Sequence, residues 1–431
     1  MKVKLITVVA IILAGVIVAV ATISSSVSKN NEYNEYLTTA RANAENQVPY
    51  TACNFYNKAF AIKCEDEAVY EEYLEQAKIL GENFYKNAVK DYVVKFPTSL
   101  KAYEKLCQYY YSQNSYKEVI NTALSAKEND AANEKVREYY MKCFHMVDRV
   151  MVGLEEAAPF LGEYALIKRE GLYGFADTEG TYLLTPAYQS ASHFFGSSAA
   201  VYDGEEWYMI NAGGYKVARP KETVDYLSFL SNGLLVIGKD GKFGYTNSKL
   251  SLPEKLEYDY ASNFKNNVAA VKKGDKWALL GSDGKLITDF KYEDIILDEF
   301  ETCINSGVIF VKENGKYYMI DEEASKISKQ GFDDAYPFFS NQPAAVCIDG
   351  KWGFVDVNGK IVIKPEYAEA KSFSIGLAPV SINGVWGYIS LSNEMRIEPQ
   401  YTDAKPFGSN GIAPIKENNV WNYIKLLGYD N

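Results

Sequence analysis

The chain has 431 residues, too many for one compact core, so two or more domains are expected. A hydrophobic fraction of 47% argues against wholesale disorder. The net charge of −11 argues against a nucleic-acid partner, because phosphate binding requires a basic surface.

The N-terminus is expected to be a membrane anchor. Lys2 and Lys4 precede an apolar run from Leu5 to Ile23, which as a helix would be roughly 28 Å long and could cross a bilayer core. Positive charge before the run predicts a single-pass protein with a cytoplasmic N-terminus and the bulk of the chain outside the cytoplasm. The alternative is a signal peptide cleaved near Ala19-Val20-Ala21, which would release a secreted protein. Residues 1–29 are therefore interpreted as membrane anchor and short linker.

Residues 30–146 show helical periodicity. Ala52 and Tyr56 lie four residues apart on one helical face, and Pro97 ends a later helix. The clearest helix pair carries its apolar and aromatic residues at Ala102-Tyr103, Leu106, Tyr116, Val119 and Ala123-Leu124. This pair resembles the tetratricopeptide (TPR) repeat, and the spacings Ala52 to Ala88 (36) and Ala88 to Val119 (31) straddle its period of about 34. The resemblance implies a TPR-like α-helical solenoid, either a packed spacer or a peptide-binding groove.

Residues 147–431 contain a regular repeat, and each copy opens on an aromatic residue. Successive anchors are spaced by 34, 36, 34, 40, 35, 34 and 35 residues. Apolar residues alternate with period two after each anchor, and a turn glycine such as Gly359 follows, which predicts short paired strands. The eight structural repeat anchors are Tyr173, Trp207, Phe243, Trp277, Tyr317, Trp352, Trp386 and Trp421.

The repeat resembles the WG-repeat family of bacteria. The resemblance is carried by the dipeptides Trp352-Gly353 and Trp386-Gly387, by the phrase from Phe373 to Val380, and by the Pro-x-Tyr of Pro365 to Tyr367. It implies repeated β-structure and transfers no activity. Copies two, four and five have lost the glycine of the dipeptide, with Tyr208, Ala278 and Tyr318 in its place, and are expected to differ locally.

The repeats predict an all-β domain that closes into a ring of about eight blades. One copy holds too few apolar positions for its own core, so neighbouring copies must stack, as in a β-propeller. The last copy lacks its final strand, and the repeat register places Val150 to Val152 where that strand is missing. We therefore expect this segment to complete the last blade. The alternative is an open β-solenoid.

The sequence shows no catalytic constellation. The two histidines, His145 and His193, fall in different regions, and His193 is interpreted as an ordinary strand-edge residue. The six cysteines form no C-x-x-C pair, and no glycine-rich phosphate loop occurs, so neither a zinc site nor a nucleotide site is predicted. We predict a chain that is not an enzyme, with no catalytic, cofactor-binding or metal-binding residues.

The predicted function is a non-enzymatic, membrane-anchored scaffold at the cell surface. It would bind protein or peptide partners through its helical and β-repeat surfaces. One alternative is a module that binds cell-wall glycan, which requires anchor aromatics exposed in a row. Another is a hydrolase with two close carboxylates in a central ring pocket. Since the anchors recur in every copy, we expect them to serve packing, and we expect function to lie in what differs between copies.

Overall fold

The computed structural model describes residues 26–160, 162–339 and 341–429. These residues divide into two compact units, one that ends at Phe144 and one that begins at His145. The first unit is helical, and the second is built from β-strands.

The described part of the first unit holds seven helices. Helix α1 occupies described residues 26–45, and the others are α2 (Pro49–Ile62), α3 (Glu67–Ile79), α4 (Glu82–Lys95), α5 (Leu100–Ser112), α6 (Tyr116–Glu128) and α7 (Glu134–Phe144). Three of the described helices begin at a side-chain cap. Asp66 accepts the N–H of Ala68 at the start of α3, Ser99 accepts that of Ala102 at the start of α5, and Asn133 accepts that of Val136 at the start of α7.

Tyrosine builds much of the helical core. The ring of Tyr70 stacks between Phe60 and Tyr92, with ring centroids 4.9 and 5.0 Å apart. The Tyr70 hydroxyl donates to Asp91 at 2.8 Å, and the Tyr92 hydroxyl donates to Glu67 at 2.7 Å. A tyrosine can therefore fill a buried helical face while its polar end stays paired, which accounts for the richness of this region in tyrosine.

One component of the predicted fold class is corrected. Among the described residues, no helix is long and apolar enough to cross a membrane, and the predicted transmembrane helix is not supported. The segment Leu5–Ile23, for which that helix was predicted, lies outside the described residues. The likeness of the helix pairs to TPR repeats stays a prediction.

The second unit is an eight-bladed β-propeller. Strand β1 (Val147–Leu154) precedes the first blade. Blade 1 contains β2 (Glu156–Ala157), β3 (Tyr164–Arg169), β4 (Leu172–Asp177) and β5 (Tyr182–Tyr188), and blade 2 contains β6 (Ser190–Ala191), β7 (Ser198–Tyr202), β8 (Trp207–Asn211) and β9 (Lys216–Ala218). Blade 3 contains β10 (Tyr226–Leu227), β11 (Leu235–Lys239) and β12 (Lys242–Thr246), and blade 4 contains β13 (Tyr260–Ala261), β14 (Val268–Lys273) and β15 (Lys276–Gly281).

The remaining four blades follow the same order. Blade 5 contains β16 (Asp294–Ile295), β17 (Ile309–Glu313) and β18 (Lys316–Ile320), and blade 6 contains β19 (Asp334–Ala335), β20 (Ala344–Ile348), β21 (Lys351–Val355) and β22 (Ile361–Tyr367). Blade 7 contains β23 (Glu369–Ala370), β24 (Leu377–Ile382), β25 (Val385–Ser390) and β26 (Met395–Tyr401), and blade 8 contains β27 (Asp403–Ala404), β28 (Ile412–Glu417) and β29 (Val420–Leu426). Within each blade, strands that follow one another in sequence pair antiparallel. Neighbouring blades stack through buried rings, as Phe354 of blade 6 does on Phe373, with centroids 4.6 Å apart.

Strand β1 closes the ring. It pairs antiparallel with β29 and becomes the fourth strand of blade 8, with Met151 opposite Tyr423 and Leu154 opposite Trp421. The prediction that Val150 to Val152 completes the last blade is thus confirmed. The alternative of an open β-solenoid is wrong, because the first and last strands of the unit are hydrogen-bonded to each other.

The Trp-Gly dipeptide of the third strand and the Pro-x-Tyr phrase of the fourth strand lie where these two strands approach closely. A Cβ added to Gly353 would lie 2.6 Å from the carbonyl oxygen of Ile363 and 2.6 Å from the nitrogen of Pro365. Gly387 comes equally near the carbonyl oxygen of Ile397, at 2.5 Å. At these points the register between the third and fourth strands shifts. The glycine is therefore required by close backbone approach.

Blades 2, 4 and 5, in which a local difference was predicted, do differ from the regular blades. Blade 8 also lacks the glycine and has Asn422 in its place, yet β1 gives it a fourth strand. Blade 2, with Tyr208, has a fourth strand of only three residues. Blades 4 and 5, with Ala278 and Tyr318, have no fourth strand among the described residues, and two isolated bridges take its place in each. Blade 3 keeps Gly244 and is also three-stranded. The glycine therefore permits the close crossing but does not by itself create it.

Candidate functional site

The repeat anchors lie on the third strand of each blade, where they take part in packing. Four are at most 9% exposed: Trp207, Trp277, Tyr317 and Trp386. The other four are half-buried: Tyr173, Phe243, Trp352 and Trp421. Lysines of the adjacent strand cover several rings. The Nζ of Lys312 lies 5.0 Å from the ring centroid of Tyr317, and that of Lys272 lies 5.6 Å from that of Trp277. The anchors of the described blades therefore present no row of open ring faces to a sugar.

The most irregular copy places its extra residues at the centre of the ring. Trp277 and Tyr317 are 40 residues apart, against 34 to 36 for the other anchors. The extra length falls between β16 and β17, and we call residues 296–302 the axial loop. Asp298 organises this loop, because its carboxylate accepts the backbone N–H groups of Phe300 and Thr302 at 3.0 and 2.8 Å. The same carboxylate accepts the Thr302 hydroxyl at 2.7 Å and the side-chain amide of Asn305 at 3.1 Å.

Contacts with distant blades place the axial loop on the ring axis. The ring of Phe300 meets that of His193 in blade 2 edge to face, with centroids 4.6 Å apart. The side-chain amide of Asn263 in blade 4 donates to the backbone oxygen of Phe300 at 3.0 Å. On the far side, Lys405 of blade 8 donates to the Glu299 carboxylate at 2.8 Å. The loop therefore bridges blades that do not touch one another through their sheets.

A cavity of about 250 Å³ lies beside the axial loop, and we call it the axial cavity. Its walls combine aromatic rings and carboxylates, supplied mainly by His193, Trp207, Tyr226, Phe229, Glu299, Phe300 and Glu301. Ser190, Ser192, Ser228 and Asn263 add polar groups. Two of these hydroxyls already have backbone partners. The Ser192 and Ser228 hydroxyls accept backbone N–H groups from the second strand of their own blades at 2.9 and 2.7 Å. The groups left to meet a ligand are the rings and the carboxylates.

The charges around the axial cavity are unequal. Burial, followed by the nearby Lys405 ammonium, lowers the pKa of His193 to about 4, so its ring is neutral at pH 7. Glu299 is paired with Lys405. Glu301 accepts the Tyr226 hydroxyl at 2.6 Å, and among the described residues no lysine or arginine lies within ion-pair distance of it. The cavity therefore carries one carboxylate without a cationic partner.

The predicted site residues and the observed site differ. His193 was interpreted as an ordinary strand-edge residue, but it lines the axial cavity, and its Nδ1 has no hydrogen-bond partner among the described residues. His145 lies just before β1 and outside the cavity. Glu299 and Glu301 were not singled out by the sequence. Their signal was the anchor spacing of 40, which marks the copy that differs from its neighbours.

The central pocket holds two carboxylates, as the hydrolase alternative requires, but both have other partners. Glu299 is held by Lys405, and Glu301 accepts a tyrosine hydroxyl. No group of three or more possible metal ligands occurs in the part of the chain that the structure describes. The chemistry available in the cavity is recognition through charge and ring faces.

The helical unit has a depression of its own. A cavity of about 300 Å³ lies along α6 and α7, lined mostly by apolar groups with two basic ones: Ala123, Leu124, Lys127, Ala132, Val136, Arg137 and Tyr140. Leu124 is 38% exposed, so this floor is open to a partner. It is the described part of the helical unit best suited to receive an apolar side chain.

The fold and the repeats together define a WG-repeat β-propeller preceded by a helical region. A family model of the WG containing repeat matches residues 173–207, 255–277, 280–317, 320–352, 352–386 and 386–421. The matched residues are therefore WG-containing repeats, as the sequence predicted, and residues 208–254 between them are not matched. No curated protein matches the chain.

Solved structures of other proteins show a weak overall likeness. A "Crystal structure of the eukaryotic initiation factor" is 12% identical, with a TM-score of 0.43, over 67% of this chain and 88% of that chain. "Dihydro-heme d1 dehydrogenase NirN in complex with DHE" is 10% identical, with a TM-score of 0.42, over 70% and 82%. The "AfRom2 CNH domain" is 6% identical, with a TM-score of 0.34, over 65% and 99%. Likenesses this low carry no argument about function.

Proposed function

We propose that this protein is a non-enzymatic scaffold that binds protein or peptide partners through its propeller and its helical surface. The observation that supports the proposal is a difference in role between the regular copies and the irregular copy of the repeat. The recurring residues are used in packing, whereas the one copy with extra residues builds a polar cavity on the ring axis. The cavity offers recognition groups but no free acid–base pair.

Two further features support binding of a polypeptide. The propeller holds its central groups on eight stacked blades, so the axial loop is presented by a rigid frame. The helical unit adds an apolar depression flanked by Lys127 and Arg137, which suits a peptide with an apolar side chain and an acidic neighbour. The proposal concerns binding alone; the compartment stays a prediction of the sequence.

The test is direct binding by the purified full chain. Candidate partners are selected by affinity capture, expressed on their own, and titrated against the full chain by calorimetry. At least one protein or peptide is expected to bind with a Kd in the micromolar range or tighter. Cross-linking then places its contacts on the propeller or on the α6–α7 depression.

Two parallel assays can contradict the proposal. The full chain is mixed with insoluble cell-wall glycan and separately with oligosaccharide substrates. Retention on glycan, or release of reducing ends, without direct binding of any captured protein would refute the scaffold. Glu322→Gln is a suitable control throughout, because Glu322 is exposed in the turn after β18 and its side chain makes no hydrogen bond or ion pair among the described residues.

A further inference from the structure

We infer that the axial cavity binds an alkylammonium group. The group could be the side chain of a lysine on a partner or a small free amine; both present the same cation on an apolar stem. The inference deepens the proposed function, and only its lysine form rests on it.

The first reason is charge. The ion pair of Glu299 and Lys405 is internally balanced, and His193 is neutral at pH 7. Glu301 remains, with a tyrosine hydroxyl as donor and, among the described residues, no lysine or arginine within ion-pair distance. A half-buried carboxylate without a countercharge is unfavourable. A ligand that brings one positive charge removes that penalty.

The second reason is the nature of the walls. Trp207, Tyr226, Phe229 and Phe300 line the cavity together with the carboxylates. Aromatic faces attract a desolvated cation, and they also pack against its alkyl stem. Within the ring, Trp207 and Tyr226 already lie with their centroids 5.9 Å apart. Rings and one uncompensated carboxylate are the elements that recognise an ammonium ion.

A third reason concerns hydrogen bonding. The His193 ring has a hydrogen bond to the backbone of Glu299, while its Nδ1 has no partner among the described residues. A neutral imidazole that donates through one nitrogen keeps a lone pair on the other. That nitrogen is therefore a buried, unpaired acceptor in a residue that lines the cavity.

Other cations fit less well. The described residues offer no set of three metal ligands at this place. A guanidinium binds best as a planar fork to two free carboxylate oxygens, but Glu301 Oε2 already accepts Tyr226. The cavity of about 250 Å³ is also below the usual range of roughly 300–1,000 Å³ for small-molecule sites. One ammonium on a short stem is therefore the best match.

The test uses the full chain and n-butylammonium as probe, with 1-butanol as the neutral control of similar shape. Binding is measured by calorimetry or by ligand-observed NMR. We expect n-butylammonium to bind one site at least about tenfold more tightly than 1-butanol. Glu301→Gln is expected to weaken n-butylammonium binding by about tenfold or more, whereas Glu322→Gln leaves it unchanged. Equal binding of the two probes, or equal binding by wild type and Glu301→Gln, would overturn the inference.

A second variant protects the test against loss of folding. If the thermal midpoint of Glu301→Gln falls sharply, Tyr226→Phe is used, since it keeps the ring and removes only the hydroxyl that orients Glu301. It is expected to weaken n-butylammonium binding by roughly three- to tenfold. An unchanged affinity in a folded Tyr226→Phe chain would contradict the inference.

One further probe separates the sources of the ammonium group. Tighter binding of Nα-acetyl-lysine methylamide, which keeps its side-chain ammonium, than of n-butylammonium would support a lysine on a partner. Binding of n-butylammonium alone would support a free amine. In that second case the inference stands even if no protein partner is found, whereas a partner that binds without any amine binding would uphold the scaffold and refute the inference.

Discussion

Blade 7 and blade 5 are copies of one repeat that meet different demands. Blade 7 has four strands, and Gly387 lets its fourth strand cross closely over the third. Blade 5 has three strands, carries Tyr318 in place of that glycine, and extends residues 296–302 onto the ring axis. The comparison shows that the residues of the repeat signature stabilise the propeller. The residues that differ from the signature supply the groups that a ligand can contact.

The largest expected effect comes from blade 7. Gly387→Ala places a Cβ 2.5 Å from the backbone oxygen of Ile397, which neither strand can avoid by a side-chain movement. We expect the free energy of unfolding to fall by about 3–4 kcal/mol, which is at or above the upper end of over-packing effects. Calorimetry would show this as a lower thermal midpoint of the propeller. The matched change in an irregular blade is Ala278→Gly, for which about 1 kcal/mol or less is expected. Similar midpoints for both variants would show that close strand approach does not explain the glycine.

The next effect concerns the axial loop. Asp298→Ala removes the acceptor of two backbone N–H groups and two side chains, so we expect a loss of about 2–4 kcal/mol in urea unfolding. The control is Asp356→Ala, which disrupts a similar but more exposed turn in blade 6 and should cost less than about 1 kcal/mol. An Asp298→Ala chain as stable as the control would mean that the loop is not held by this carboxylate.

A somewhat smaller effect depends on pH. His193 has a pKa of about 4 in the folded chain against an ordinary value of 6.5, so between these values the unfolded chain binds a proton that the folded chain does not. Stability therefore falls as pH drops through this window. From pH 7.5 to pH 4.5, wild type should lose roughly 2–3 kcal/mol more than His193→Asn. Parallel pH profiles would show that His193 is not held neutral; His145 is present in both chains, so its contribution cancels.

The smallest effect is expected where a lysine covers an anchor ring. Lys312→Met removes the cation 5.0 Å from the Tyr317 ring centroid but keeps most of the apolar stem. We expect a loss of about 0.5–1 kcal/mol in chemical unfolding. Lys272→Met repeats the test on Trp277. A loss above about 2 kcal/mol in either variant would indicate that these lysines are part of the frame itself.

The propeller could be predicted from the sequence because the residues that pack it recur in every copy of the repeat. Eight anchors at near-constant spacing predicted eight blades, and the missing last strand predicted its replacement by Val150 to Val152, as the pairing of β1 with β29 confirms. The number of strands in each blade was not predictable in the same way. A fourth strand depends on close backbone approach, and Gly244 shows that the glycine can be present without it.

The site could be predicted only in part. The spacing of 40 marked blade 5 as different, but the sequence does not tell whether extra residues turn outwards or towards the axis. The contacts that decide this join residues far apart in the chain, such as Tyr226 with Glu301 and Lys405 with Glu299. The place of His193 beside the cavity was not predictable for the same reason, since its ring contact comes from blade 5.

The closing strand has a consequence for how the chain folds. Because Val147 pairs with Leu426, blade 8 can be completed only after nearly the whole domain has been synthesised. Contacts between such distant residues are slow to form, since a long loop must close before they contribute stability. Until then, β1 and β28–β29 present unpaired strand edges, which are prone to associate with other chains. Ring closure is therefore expected to be the slowest step in folding this domain and the one most exposed to aggregation.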